Sequence, residues 1–210
     1  MVVGNALLIL LAGVGFSALH SLTAGSALKQ RLQKVLDARL VEGWYRLAYN
    51  LVSVVSIAPL LLLVAVLPDR NLYVVPPPYS FVLLCIQLVG AIGFLWGAFS
   101  VDLWRFIGAR QVVAYLGGEP LPLPDEPLQQ EGIYRLVRHP LYLFGLLMLW
   151  PIPVMTLNLL VASLGATLYV IIGSLIEERR LLNAYGEKYR QYRQRVPWLI
   201  PFPSEKHRAE

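Results

Sequence analysis

Charge is scarce in this chain, and that scarcity is its first constraint. Only 15% of the 210 residues are Asp, Glu, Lys or Arg, while 57% are hydrophobic. A soluble domain carries about 25% charged residues, so a chain solvated by water on every side is excluded. Cysteine is nearly absent. Cys85 stands alone inside an apolar run, so no intrachain disulfide can form, and a lone cysteine there reads as a small buried apolar side chain. The three histidines, His20, His139 and His207, lie too far apart for metal-ligand spacing, and no metal is expected. No G-x-x-x-x-G-K-[ST] stretch offers a phosphate cradle. No basic patch interleaved with aromatics offers a nucleic-acid surface, so the formal charge of +5 points to cytoplasmic loops beside anionic lipid.

What is present is a series of long apolar runs. Val2 to Leu19 is uncharged, lacks a basic region before it and a cleavage site after it, and reads as a retained span. Lys29, Arg31, Lys34, Asp37, Arg39, Glu42 and Arg46 follow, with Leu28, Leu32, Val35, Leu36 and Leu40 at helical spacing between them. This predicts an interfacial amphipathic helix. Residues 47–67 form a second run with Pro59 inside it, and residues 79–101 a third, where Gly90, Gly93 and Gly97 suit close helix packing. Residues 102–130 are polar and rich in Gly and Pro, predicting irregular structure with a short helix around 102–115.

From Pro140 to Ile176 no residue is charged over 37 residues. One helix of that length would measure roughly 55 Å at about 1.5 Å per residue, against a hydrocarbon core of about 30 Å. The segment must therefore turn, and Pro151 and Pro153 mark where. The expectation is two spans, 139–153 and 157–176, forming a helical hairpin. After Ile176, Glu177-Glu178-Arg179-Arg180 opens a polar helix expected to run to Val196, with Glu178, Leu182, Tyr185, Tyr189 and Tyr192 on one face. The fold class expected is thus an all-α membrane protein of one domain, 1–210, with five transmembrane helices and a cytoplasmic tail.

Basic residues set the orientation. Five lie between the first two runs, one (Arg70) between the second and third, four between the third and fourth, and eight after the fifth. With the N-terminus outside a bacterial or archaeal cytoplasmic membrane, only Arg70 faces outward. Tyr134, Arg138, His139 and Tyr142 then share the cytoplasmic side with Glu177, Glu178, Tyr185, Tyr189 and Tyr192. Cations for a carboxylate, carboxylates for an amine or ribose, and aromatic faces for a base or sulfonium together suit a zwitterionic nucleoside. The plainer alternatives are a snorkelling Arg138, an interfacial tyrosine belt, and glutamates paired with Arg179 and Arg180.

Gly132-x-Tyr134-x3-Arg138-His139-Pro140-x-Tyr142, a hydrophobic stretch, Glu177-Glu178 and then Tyr185-Gly186-x2-Tyr189-x2-Tyr192-x3-Val196-Pro197 resemble the integral-membrane methyltransferases. That superfamily includes isoprenylcysteine carboxyl methyltransferases and phospholipid methyltransferases. His20-Ser21, Tyr45-Arg46-x2-Tyr49-Asn50, Asp102-x3-Phe106-x-Gly108-x2-Gln111 and Trp150-x-Pro-x-Met155-Thr156 resemble the branch holding methanethiol S-methyltransferases and NnrU-like proteins. The resemblance implies S-adenosylmethionine as cofactor, bound by residues 130–201. It implies cofactor contacts from Tyr134, His139, Pro140, Tyr142, Glu178, Tyr185 and Tyr189, with Arg138 and Glu177 lining the reaction site or orienting their neighbours. It also implies membrane lipid and a small thiol or lipophilic acceptor as partners. A lipid amine, an isoprenylcysteine carboxylate and a non-catalytic role stay open beside the thiol.

Overall fold

The computed structural model describes residues 2–201. Phe202, Pro203 and the charged tail expected after them lie outside the described residues. The chain is helical apart from a two-stranded antiparallel pair. Four described helices are long and apolar enough to cross a membrane, with windows in Gly4–Ala24, Ala38–Val66, Tyr79–Phe99 and Leu157–Tyr185. The structure divides into two compact units.

The first unit comprises Met1–Arg70, Asp102–Glu126 and Leu157–Ala162. Its frame is α1 (Val2–Ala24) running antiparallel to α3 (Ala38–Val66). Asn5 Nδ2 donates to Pro68 O at one end (2.7 Å) and Tyr45 OH donates to Thr23 O at the other (2.6 Å). The amphipathic helix expected over residues 28–46 is divided instead. α2 (Ser26–Gln33) ends, and α3 starts afresh because the Asp37 side chain caps it, accepting from Leu40 N at 2.7 Å. Glu42 ties the two pieces together, accepting from Lys29 Nζ and Gln33 Nε2, each at 2.7 Å.

The short helix expected around 102–115 is two helices, α5 (Leu103–Ile107) and α6 (Ala109–Leu116), joined at Gly108. Asp102 and Arg105 do not form the side-chain pair that their spacing suggests. Asp102 accepts from the Arg105 backbone N–H and pairs with Arg110 at 2.9 Å, while Arg105 reaches Glu126 at 2.6 Å.

The second unit comprises Asn71–Val101, Pro127–Thr156 and Ser163–Glu210. α4 (Tyr79–Phe99) packs antiparallel on α7 (Pro140–Leu149): Gly97 meets Leu141, Gly93 meets Phe144, and Gly90 meets Leu147 and Met148. A Cβ at Gly93 would lie 2.3 Å from Phe144 Cδ1, so this contact requires the bare backbone. α7 is shorter than the run expected over 139–153. It stops after ten residues, about 15 Å. Pro151 and Pro153 lack the N–H groups a helix needs, and the chain continues extended into β2 (Val154–Thr156). β2 pairs with β1 (Asn71–Val74), and Val75 N adds a bond to Pro153 O at 2.8 Å. The extended segment therefore reaches the level of the chain that precedes α4.

α8 (Leu157–Tyr185) departs from expectation in the other direction. The helix does not restart after Ile176 but continues unbroken through Glu177 and Glu178. Hydropathy marks where the surroundings change; it does not mark where the backbone bonds stop. The break comes at Gly186, with φ +53° and ψ −124°, a conformation open to glycine and strained for other residues. α9 (Glu187–Arg195) follows, so the five residues expected on one helical face belong to two helices.

Candidate active site

The second unit gathers most of the singled-out residues around one carboxylate. Glu178 is buried on α8. Arg138 grips it bidentately, Nε to Oε1 at 2.8 Å and Nη2 to Oε2 at 3.1 Å. Such a fork-to-fork pair fixes both charge and orientation. His139 Nε2 lies 3.0 Å from Oε1, Tyr189 OH donates to Oε1 at 2.6 Å, and Arg193 Nε lies 3.2 Å from Oε2. Four side chains from two segments, residues 138–139 and α9, therefore converge on a single acceptor group on α8.

Local structure explains how these groups arrive together. A one-turn 3-10 helix, Gly132–Arg135, leads into Arg138, and His139 caps α7 with Pro140 at its first position. The bend at Gly186 folds α9 back, returning Tyr189 and Arg193 to Glu178. The segment after α9 then latches onto the motif. Arg138 N donates to Pro197 O at 2.9 Å and His139 N to Trp198 O at 3.3 Å. Arg138 Nη1 donates to Val196 O at 2.8 Å, and Tyr192 OH donates to Tyr134 O at 2.6 Å. Arg138 thus holds Glu178 with one edge of its guanidinium and the returning chain with another.

Around this hub lie less enclosed groups. The side chain of Glu177 is 44% exposed, with Oε2 3.5 Å from His139 Nδ1. Tyr142 stacks on the His139 ring at 5.5 Å and 18°. Tyr134 and Tyr185 are half-buried, and Pro140 is buried. Burial lowers the His139 pKa, but hydrogen bonds to Glu177 and Glu178 outweigh it and raise the imidazole above its ordinary 6.5. Burial, helped by the Glu177 charge, pushes the Tyr134 phenol up to about 12. Tyr189 is raised by burial and by its bond to Glu178, so it remains a donor at neutral pH. The Trp198 Nε1 hydrogen is buried and has no acceptor among the described residues. A buried, unused donor suits a ligand that brings an anionic or carbonyl oxygen.

All nine site residues expected from the sequence lie in this unit. Arg138, His139, Glu178 and Tyr189 meet directly, Glu177 and Tyr142 adjoin through His139, and Tyr134 is joined through Tyr192. Pro140 contributes through the start of α7, and Tyr185 stands just before the bend. Sequence reasoning missed Arg193 and Trp198. Arg193 follows Tyr189 by one helical turn, a signal that was available. Trp198 had none, because its place is set by backbone bonds of the returning segment.

The phospholipid methyltransferase family matches residues 86–188, which include Arg138, His139 and both glutamates. A methanethiol S-methyltransferase of Pseudomonas deceptionensis is 32% identical over 189 residues, 89% of this chain and 69% of that protein. Methanethiol S-methyltransferase 1 of Bradyrhizobium diazoefficiens is 34% identical over 128 residues, 60% of this chain and 44% of the relative. A methanethiol S-methyltransferase of Mycobacterium tuberculosis is 38% identical over 109 residues, 52% of this chain and 44% of the relative. The matched stretch thus spans less than half the length of the latter two. No solved structure matches.

Proposed function

Since the chain belongs to the phospholipid methyltransferase family, in the branch of the methanethiol S-methyltransferases, we propose that it is a multi-pass membrane enzyme that methylates a small thiol with S-adenosylmethionine. The observation that carries this reading is the four-donor network on Glu178. It rigidifies the residues through which the chain resembles its family, and it leaves the partly exposed Glu177 and the Trp198 donor for a ligand.

The donor set fits a zwitterionic nucleoside. When bound, S-adenosylmethionine supplies a sulfonium-linked methyl that is already electrophilic. The chain's work is to bind, align and exclude water. Arg138 and Trp198 Nε1 serve a carboxylate, Glu177 serves an amine or ribose hydroxyl, and Tyr134, Tyr142 and Tyr185 supply aromatic faces. Glu178 and Tyr189 belong to the binding set through the hub, holding Arg138 and His139 in place, and Pro140 fixes where α7 begins. Arg138 also places positive charge where a thiolate, the reactive form of a thiol, would be stabilised.

Five crossings accompany this reading. Ten helical residues of α7 cover about 15 Å, and the extended residues up to Thr156 add about 3.3 Å each, enough together for a core of about 30 Å. Placing the N-terminus outside leaves Arg70 as the outward basic residue between spans and puts the Arg138–Glu178 network on the cytoplasmic side of the cell membrane. A panel assay tests the function: purified protein in detergent, methyl-labelled S-adenosylmethionine, and methanethiol, a prenylcysteine or phosphatidylethanolamine. Labelled thioether from methanethiol is expected. Transfer to the prenylcysteine or the lipid amine alone would replace the thiol, and no transfer to any of them would overturn the enzyme reading.

A further inference from the structure

The α5–α6 elbow of the first unit is built inside out. On α6, Gln111 and Ala114 are buried, while Val113 and Leu116 are 66% and 70% exposed. On α5, Trp104 and Phe106 are exposed as well. Facing water, this arrangement would expose four large apolar side chains and enclose an amide. Facing lipid, it is the favourable one, because the outer face meets an apolar solvent.

The elbow is docked firmly on α3, and the docking fixes its depth. Arg46 Nε and Asn50 Nδ2 both donate to Phe106 O at 3.1 Å, and Arg39 Nη2 donates to Tyr115 O at 3.3 Å. Tyr115 lies so close to Gly43 that a Cβ there would be 2.6 Å from the tyrosine Cβ. Arg39, Gly43 and Arg46 all precede the apolar residues 47–66 of α3. At about 1.5 Å per residue those cover about 30 Å, the thickness of the hydrocarbon core. Arg46 therefore stands at headgroup level. The Phe106 ring lies 5.8 Å from its guanidinium, at the depth where aromatic side chains collect in membranes.

Charge at this point is unbalanced. Arg105 pairs with Glu126 at 2.6 Å and Arg110 with Asp102 at 2.9 Å. Arg46 lies within electrostatic reach of Arg105 and Glu126, yet it forms no ion pair among the described residues. Its Nε is used by a carbonyl, and its two Nη groups have no hydrogen-bond partner among the described residues. A guanidinium with both Nη groups unused presents the fork that binds a phosphate through two parallel bonds.

We propose that Arg46 and the α5–α6 elbow form a binding site for one anionic phospholipid, its phosphate on the Arg46 Nη groups and its chains against the exposed apolar face of the elbow. The apolar face and the uncompensated cation lie side by side at the depth where such a lipid presents its own chains and phosphate. The site lies wholly within the first unit. It depends on the chain spanning a membrane and not on which acceptor is methylated.

Native mass spectrometry of the purified full-length protein, titrated in detergent with phosphatidylglycerol or phosphatidylcholine, tests the site. The wild type should retain phosphatidylglycerol in preference to phosphatidylcholine. Arg46→Gln should weaken that binding at least about tenfold, as expected for lost bonds to a charged group. The elbow stays docked in this variant through Asn50. Glu126→Gln removes the competing negative charge and should tighten binding roughly fivefold, the equivalent of about 1 kcal/mol; a gain of this kind is not produced by misfolding. Arg31→Gln, an exposed cation on α2, should leave binding unchanged. Equal retention of the two lipids by the wild type would overturn the inference. So would a loss in Arg31→Gln as large as in Arg46→Gln, which would mean diffuse attraction, or the absence of a gain in Glu126→Gln. Displacement of the lipid by an equal concentration of glycerol phosphate would assign the site to a free phosphate instead. A wild-type dimer that becomes monomeric in Trp104→Gln would give this face to a second copy, and either result would overturn the lipid assignment.

Discussion

Glu178 shows how much one buried carboxylate can organise. Two guanidinium groups, an imidazole and a phenol all spend donors on it. Removing any one leaves the others less well compensated. Tyr189→Phe deletes a 2.6 Å bond to a charged acceptor. It should cost about 1.5–3 kcal/mol, read as a lower unfolding midpoint in detergent. His139 makes the network pH-dependent, and the sign follows from its raised pKa. The folded state binds the imidazole proton more tightly than the unfolded chain does. That stabilisation is complete below about pH 6.5, the unfolded value, and is lost as pH rises through the raised folded value. The stability gap between wild type and His139→Gln should therefore narrow as pH rises above about 6.5 through the raised folded value; a gap that widens would reverse the assignment. At this scale the sequence was informative. Residue types and their spacing marked Arg138, His139 and Glu178, and the length of the uncharged stretch implied that they return to one side. Trp198 was not legible, because a donor's lack of an acceptor is a fact of three-dimensional surroundings.

Elements were less legible than residues, for a physical reason. Hydropathy reports what surrounds the chain, whereas helix ends follow from caps, prolines and glycine. α8 runs past Ile176 because nothing there interrupts its backbone bonds, and it stops where Gly186 turns left-handed. α7 ends early because Pro151 and Pro153 cannot donate. The glycines of α4 were legible, since close approach needs bare backbone wherever two helices meet. Gly93→Ala would drive a methyl into the Phe144 ring and should cost about 1–3 kcal/mol as overpacking. Pairing it with Phe144→Leu should recover part of that loss, whereas simple addition of the two single losses would mean that the residues do not compete for space. Gly186→Val finds no steric neighbour near its Cβ. Its penalty is therefore backbone strain of about 1–3 kcal/mol, relieved by detaching α9 from Glu178. Cofactor affinity should fall in this variant while the apolar helices keep their circular-dichroism signal.

For the molecule as a whole, the distribution of basic residues makes a topological claim that labelling can check. With Cys85→Ser as background, Arg70→Cys should react with a membrane-impermeant maleimide added to intact cells. Glu119→Cys and Lys188→Cys should react only after the membrane is permeabilised. The reverse pattern would invert the orientation. The central claim is that the network around Glu178 builds the S-adenosylmethionine site. Equilibrium dialysis of labelled S-adenosylmethionine against wild type, His139→Ala and Glu178→Ala, each shown by thermal unfolding to be folded at the assay temperature, tests it most directly. The wild-type protein should bind, and both variants should bind at least about tenfold more weakly, the equivalent of about 1.4 kcal/mol. Wild-type affinity in both folded variants would contradict the claim.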